Sequence, residues 1–240
     1  MKKLIFFLLT STLIIAQEKS NVSEDILFVG NSFTFYWNLP SIVEMMATER
    51  SLNWNVVQST ASGATLKQHW FEKKMLSTKQ LILSNNFSKV IFQDNSTFPV
   101  LAIDTTKKYH DKFKGIISSN VDTYIYSTWM YPKIEVKERD LSEQNLVEKN
   151  LIESGVSESS ILILVGQAFD KFKLKYPKYN LLSEDNKHQN ANGTYLAACV
   201  MFSTLSNQSS IGLSNRYYGE DSNGKKIYYT LIDSSVAKKC

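Results

Sequence analysis

The sequence predicts an α/β protein, a three-layer α/β/α sandwich with a mostly parallel sheet of about five strands. The first observation is that short apolar runs alternate with longer stretches of helical periodicity, as in repeated β–α units. The second is that most of these runs are continuously apolar, which is typical of parallel strands covered by helices on both faces. The strand candidates are Ile26–Val29, Trp54–Gln58, Val90–Phe92, Thr123–Ser127 and Ile161–Val165.

Helices are predicted between these strands, where apolar residues recur at three- and four-residue spacing. The helix Ser142–Ser154 begins at a capping residue, and Gly155 suits its end. After Gly212 we expect Tyr217-Tyr218-Gly219 to lie in a loop and Ile227–Val236 to form a last docking helix. The remaining predicted helices are Leu39–Arg50, Leu66–Leu76, Asp104–Ser118, Ala168–Lys175 and Asn192–Leu205.

The chain has the length of one large domain behind a secretory signal. Residues 1–16 combine Lys2 and Lys3 with an apolar stretch too short for a comfortable membrane span. We expect cleavage near Ala16 and an exported, periplasmic or extracellular protein with no membrane span after signal removal; retention of the signal as an anchor is the alternative. No linker or internal repeat divides the rest, so residues 24–240 are predicted to form a single domain.

Composition excludes several function classes. The formal net charge is +4, and about +2 without Lys2 and Lys3, and the basic residues are scattered, which argues against a nucleic-acid surface. Two cysteines, Cys199 and Cys240, do not make a disulfide framework. The three histidines lack metal-ligand spacing, so we expect no metal and no cofactor. The oligomeric state stays open.

The candidate catalytic residues follow the predicted strands or lie in a loop near the other end of the chain. Gly30-Asn31-Ser32-Phe33-Thr34 comes directly after the first strand, so a serine on a tight turn presents its hydroxyl at the strand end. Near the other end of the chain, Asp185-Asn186-Lys187-His188 has an acid three residues before a histidine. Such an acid can hold the imidazole and leave its other nitrogen free for a serine. Together the two segments predict a serine hydrolase.

Two further blocks lie at strand ends, Ser62-Gly63-Ala64-Thr65-Leu66 after the second strand and Gln93-Asp94-Asn95-Ser96 after the third. In this order the four blocks resemble those of the SGNH (GDSL-type) hydrolase superfamily. More narrowly, they resemble its branch of exported esterase-like proteins with a Gly-Asn-Ser-Phe-Thr first block. The resemblance covers almost the whole chain after the signal, and it implies the flavodoxin-like fold of that superfamily.

The resemblance also implies a role for individual residues. Ser32 would be the nucleophile, His188 the base and Asp185 the residue that orients it. The Ser32 N–H, the Gly63 N–H and the Asn95 side-chain amide would form the oxyanion hole. Chemistry requires such a set independently, because a serine hydroxyl needs a base as it attacks and the new negative oxygen needs preorganised donors.

The chain departs from the usual superfamily pattern in its first and third blocks. Asn31 stands where Asp is common, and Gln93 and Ser96 stand at the Gly and the final Asp of Gly-x-Asn-Asp. Gln93 is therefore the alternative to Asn95 as the third oxyanion donor. Gln93 and Trp129 are also weak candidates for substrate binding, and a core position for Trp129 is equally open.

Other interpretations compete with these. We expect His69 to pack in a helix or line a pocket, and His110 to lie on a solvated helix face. An α/β-hydrolase is disfavoured because Thr34 stands at the last glycine of Gly-x-Ser-x-Gly. The expected substrate is a small-molecule or carbohydrate ester carrying acetyl or another short acyl group. The rival function is a non-catalytic exported ligand-binding protein that retains the fold.

Overall fold

The computed structural model describes residues 23–132 and 145–240. Its centre is a five-stranded parallel sheet with the strand order β2-β1-β3-β4-β5. All five predicted strands are confirmed, and each end lies within two residues of the predicted one. The strands are β1 (Glu24–Gly30), β2 (Trp54–Thr60), β3 (Lys89–Phe92), β4 (Asp122–Tyr126) and β5 (Ile161–Ile163).

Helices cover both faces of this sheet, as the apolar strands require. Residues 26–29 of β1 are fully buried, since β1 lies between β2 and β3 and is covered on both faces. The helices are α1 (Ser32–Phe35), α2 (Leu39–Glu49), α3 (Leu66–Trp70), α4 (Thr78–Ser84), α5 (Phe98–Leu101), α6 (Ile103–Lys114), α7 (Leu146–Glu153), α8 (Val165–Lys175), α9 (Ala191–Ser206) and α10 (Ser234–Ala237). No helix in the described parts of the chain is long and apolar enough to cross a membrane.

The parallel arrangement places the carboxyl ends of the first three strands together. Gly30 pairs with Thr60, and Val29 pairs with Phe92. The segments that leave these strands therefore start side by side at one edge of the sheet. This edge is where ligands bind in open parallel sheets, and it carries the first three sequence blocks.

Some predicted helices differ in their bounds. The helix predicted over 66–76 ends at Trp70, because Glu72, Lys74 and Met75 have positive φ angles of 50°, 58° and 58° that no right-handed helix can contain. Helix α7 begins at Leu146, whose cap Asn145 accepts a hydrogen bond from the N–H of Glu148. The predicted start near residue 142, like the signal segment 1–16, lies outside the described residues.

The prediction for the tail is wrong. The expected loop at 217–219 belongs to strand β6 (Arg216–Glu220), and half of the expected helix lies in strand β7 (Lys226–Leu231); the two strands form an antiparallel hairpin. The end of the expected helix lies in the short helix α10. The turn is closed by the Asp221 carboxylate, which accepts hydrogen bonds from the N–H groups of Asn223 and Lys225. Tyr-rich runs flanking Asn-Gly are a hairpin signal that the helical interpretation overlooked.

The expectation of a solvated His110 is also wrong. His110 is fully buried on the face of α6 that carries Thr106, Tyr109 and Phe113 toward the sheet. Its Nε2 lies 2.8 Å from the Ser160 hydroxyl. Its neighbours Lys108, Asp111 and Lys112 are exposed, although the Asp111 carboxylate lies 3.5 Å from the His110 Nδ1.

Candidate active site

Ser32, His188 and Asp185 form a continuous chain of hydrogen bonds. The Ser32 Oγ lies 2.8 Å from the His188 Nε2, and the His188 Nδ1 lies 2.5 Å from the Asp185 Oδ2. Ser32 begins α1, with one residue between it and the end of β1, and the other two residues lie in the loop before α9. In this geometry the imidazole can take the serine proton while the carboxylate holds its other nitrogen.

The Asp185 carboxylate also holds the loop in which it lies. Its Oδ1 accepts hydrogen bonds from the backbone N–H groups of Lys187 and His188, at 3.0 and 2.9 Å. Burial alone would raise the pKa of Asp185, but the hydrogen bond to the His188 ring and these two N–H groups outweigh it and lower the pKa to about 2. The carboxylate is therefore ionised over the whole ordinary pH range.

Asn31 connects the first block to the second and third. Its Oδ1 caps α1 by accepting from the N–H of Phe33, while its Nδ2 donates to the carbonyls of Ala64 and Asp94. Directly before it, Gly30 leaves no room for a side chain, because a Cβ there would lie 2.2 Å from the Thr34 Oγ1. The turn that carries Ser32 is thus fixed from both sides.

The predicted oxyanion residues lie around this turn. Gly63 has a φ of +61°, and the Asn95 Nδ2 lies 3.4 Å from the Gly63 carbonyl. The Asn95 Oδ1 accepts from the N–H and the hydroxyl of Thr97, which turns the amide NH₂ toward the Gly63 loop. Within the described ranges, the N–H groups of Ser32 and Gly63 have no acceptor. These are donors that an oxyanion could use.

Asp94 was not assigned a role from the sequence, and the structure makes it the anchor of two loops. Its buried carboxylate accepts from the N–H groups of Leu66 and Asn95, at 2.8 and 2.7 Å, and from the Thr106 hydroxyl at 2.7 Å. Burial raises the pKa of Asp94, and the three hydrogen bonds oppose this shift. A carboxylate two residues after a buried strand is the one sequence signal that pointed to this position.

Gln93 and Trp129, the two weak candidates for substrate binding, are both buried. Gln93 is 1% exposed, and its Oε1 accepts from the Asn31 N–H and the Thr34 hydroxyl beneath the turn that carries Ser32. Trp129 is fully buried and stacks on Phe169 with ring centroids 4.1 Å apart. The Trp129 indole N–H donates to the Lys187 carbonyl and so supports the triad loop from below.

His69 is a packing residue that fixes the end of β1. It is fully buried, its Nε2 lies 3.0 Å from the Gly30 carbonyl, and its Nδ1 lies 2.7 Å from the Thr78 hydroxyl. Burial lowers the pKa of His69 to about 4 despite the Gly30 contact, so the ring is neutral and Nε2 carries the proton. Among the described residues, no three His, Cys, Asp or Glu side chains lie together as a metal site would require.

Solved structures share this fold at low sequence identity. A candidate SGNH hydrolase from Slackia heliotrinireducens is 19% identical with a TM-score of 0.59, over 77% of this chain and 100% of that one. A DUF4886 family protein from Bacteroides uniformis is 12% identical with a TM-score of 0.67, over 91% and 92%. The chain has the fold of SGNH hydrolase structures.

A third structure is that of a named esterase. The psychrotrophic esterase EstA from Pseudoalteromonas sp., inhibited by monoethylphosphonate, is 10% identical with a TM-score of 0.52, over 77% of this chain and 97% of that one. No protein-family model matches the chain, and no curated protein matches its sequence. The likeness therefore concerns the fold, and the chemistry has to be argued from the site.

Proposed function

We propose that this protein is an exported serine ester hydrolase that removes acetyl or other short acyl groups from a glycan or small ester. The observation that carries the proposal is the hydrogen-bonded chain from Ser32 through His188 to Asp185, with distances of 2.8 and 2.5 Å. The fold shared with SGNH hydrolase structures and with an esterase supports it. The Gly-Asn-Ser-Phe-Thr block makes its branch of that superfamily the proposed affiliation.

The proposed reaction has two halves. In the first, the His188 Nε2 accepts the Ser32 proton as Oγ attacks the ester carbonyl, and the negative oxygen faces the N–H groups of Ser32 and Gly63 and the Asn95 amide. The tetrahedral intermediate collapses, and the departing alcohol takes the proton from His188. In the second half, water gives a proton to His188 as it attacks the acyl-Ser32 carbonyl. The second tetrahedral intermediate then collapses, His188 returns the proton to the Ser32 Oγ, and the carboxylic acid is released.

Asp185 acts through His188 in this scheme. Its hydrogen bond to Nδ1 selects the tautomer whose Nε2 is free to accept the serine proton, and its negative charge stabilises the imidazolium that forms. A pKa of about 2 keeps Asp185 ionised wherever the enzyme would work. None of these steps requires a metal or a cofactor.

A fluorophosphonate probe separates this function from the rival non-catalytic binding protein. We expect the wild-type chain to be labelled once. Ser32→Ala should not be labelled, and its hydrolysis of nitrophenyl acetate should fall at least a thousandfold. The matched control is Ser222→Ala, an exposed serine in the hairpin turn, which should keep label and turnover. Full turnover in purified Ser32→Ala would remove Ser32 from the mechanism, and an unlabelled wild type would favour the binding protein.

The same preparation tests export. The chain is expressed from Met1, and the protein used for labelling is collected from the periplasm or the medium. Its N-terminus should lie close to Gln17, as the Lys2-Lys3 and apolar signal pattern predicts. Recovery of the whole population in the cytoplasm with Met1 or Lys2 at its N-terminus would contradict export.

A further inference from the structure

The segment directly after α1 exposes two large aromatic side chains beside the triad. Tyr36 and Trp37 are 39% and 50% exposed, although α2 and the sheet bury most apolar residues nearby. The Tyr36 ring lies against the His188 ring, with centroids 4.6 Å apart. Trp37 follows it, so an exposed indole stands one residue away from a ring that contacts the base.

The backbone holds these side chains outward at a conformational cost. Trp37 and the next residue, Asn38, have φ angles of 54° and 56°, and both lie in the left-handed region. A single non-glycine residue in this region is uncommon, and a bulky aromatic one more so. Two such residues in succession, next to a catalytic base, are typical of a surface shaped for function rather than for folding.

A cavity of about 410 Å³ opens beside this segment. Its lining consists of Trp37 and Asn38, of Ala191 at the start of α9, and of residues 228–231 of β7. Ala191 is the third residue after His188, so both chain segments that carry the proposed nucleophile and base continue into the cavity lining. Its volume lies within the range of small-molecule sites.

The lining has a specific chemistry. Tyr228, 48% exposed, faces the cavity from the hairpin, and it pairs across the strands with Tyr218, which is 41% exposed, at a centroid distance of 5.8 Å. No charged side chain lines the cavity within the described residues, which argues against a phosphate or an acidic ligand. Leu231 and Ala191 are the only aliphatic side chains in this lining, too few for a fatty acyl chain.

Flat aromatic faces combined with neutral polar groups fit a sugar ring. The C–H face of a pyranose stacks on an aromatic ring, and its hydroxyl groups pair with amide and phenol groups such as those of Asn38 and Tyr228. We infer that Tyr36, Trp37, Asn38 and Tyr228, the aromatic rim, form a saccharide subsite, so that the acyl group reaching Ser32 is carried by a carbohydrate. This inference rests on the proposed function and names its substrate class.

Calorimetry in the Ser32→Ala background tests binding without turnover. The probes are O-acetylated oligosaccharides built on xylose, glucosamine or galactose units. We expect at least one to bind, and Trp37→Ala or Tyr228→Ala to weaken that binding at least tenfold, while Trp37→Phe, which keeps an aromatic face, recovers most of it. Phe71→Ala is the matched control, since Phe71 is an exposed aromatic that does not line the cavity. Circular dichroism confirms the fold of each variant.

The active protein gives a second readout. In Trp37→Ala, the kcat/KM for the acetylated oligosaccharide relative to that for nitrophenyl acetate should fall at least tenfold, through KM. If no probe binds, or if the rim variants bind as well as the Phe71→Ala control, the saccharide subsite is excluded. Labelling of Ser32 by the fluorophosphonate would still support the proposed function in that case. If the wild type is not labelled, the proposed function fails, and calorimetry alone decides the subsite.

Discussion

The amide at Asn31 has a physical explanation in its surroundings. The side chain accepts one hydrogen bond, from the Phe33 N–H, and donates two, to the Ala64 and Asp94 carbonyls. An aspartate could accept the first but would meet the two carbonyl oxygens with a negative charge. The departure from the common first block therefore follows from the hydrogen-bond pattern of this chain.

For the third oxyanion position, Asn95 and Gln93 are distinguished by the expected effects of their substitution. We expect Asn95→Ala to lower kcat on nitrophenyl acetate about a hundredfold with little change in KM, because a transition-state donor is lost. The melting temperature should fall modestly, since the Oδ1 bonds from Thr97 are lost as well. Gln93→Ala should instead lower the melting temperature, since it leaves the buried Asn31 N–H without its acceptor. A near-normal Asn95→Ala would exclude its amide from the oxyanion hole.

Sequence reasoning went furthest where neighbouring residues decide the outcome. The Asp185 carboxylate, the His188 ring and the intervening turn lie within four residues, so their mutual contact follows from local geometry. Gln93 and Trp129 could not be placed in the same way. Whether a polar or aromatic residue at a strand end faces the cleft or the core depends on what packs against it from distant parts of the chain. Here these are Asn31 and Phe169.

At the level of elements, the parallel strands were predictable and the hairpin was not. Short, continuously apolar runs are typical of strands in a parallel sheet that helices cover on both faces. The segment 227–236 is apolar enough for a helix or a strand, and its state is decided by pairing with β6. Because β7 forms a wall of the cavity beside Trp37, the same error hid the aromatic rim.

The packing of α9 against the triad loop gives a test at this scale. A Cβ on Gly193 would lie 2.2 Å from the Leu181 carbonyl, which also accepts the N–H of Asn190 at the end of the loop. We expect Gly193→Ala to shift the segment that carries His188, to cost about 1–3 kcal/mol of stability and to lower kcat. Urea unfolding and ester kinetics measure the two effects.

Gly115→Ala is the matched control for that substitution. Gly115 ends α6 with ordinary backbone angles, and a Cβ there would come no closer than 3.5 Å to its neighbours. Its stability and turnover should stay close to wild type. Equal behaviour of the two variants would show that α9 does not hold the triad loop through this contact.

Over the whole molecule, the candidate active site and a second cavity lie at opposite edges of the sheet. The first three blocks and the triad gather at the carboxyl edge of the strands. A cavity of about 400 Å³ lies at the opposite edge, where Asp25 and Asn86 contribute to its lining, and has no part in the proposed reaction. The buried histidines 69 and 110 lie on helices α3 and α6. Their burial links stability to pH.

His110 should make folding sensitive to mild acid. Burial lowers its pKa to about 4, although the hydrogen bond and charge of Asp111 oppose this and Lys114 and Lys107 add to it. An unfolded histidine titrates near ~6.5, so between these values the unfolded chain binds the extra proton. The contribution of His110 to the free energy of unfolding is therefore fully present above about pH 6.5. It is lost as the pH falls toward 4, by up to about 1.4 kcal/mol per pH unit.

His110→Gln isolates this contribution from other titrating groups. Burial raises the pKa values of the Asp94 and Glu148 carboxyls, so these two groups favour the folded state as the pH falls. The measured dependence of unfolding free energy on pH is the sum of these opposing contributions. In the difference between wild type and His110→Gln these terms cancel. We expect the wild-type advantage in unfolding free energy to shrink by about 2 kcal/mol between pH 7 and pH 5. Urea unfolding at each pH measures it, with Lys108→Gln, an exposed position on the same helix, as control. If the difference between wild type and His110→Gln is the same at both pH values, the His110 ring is not buried in its neutral form.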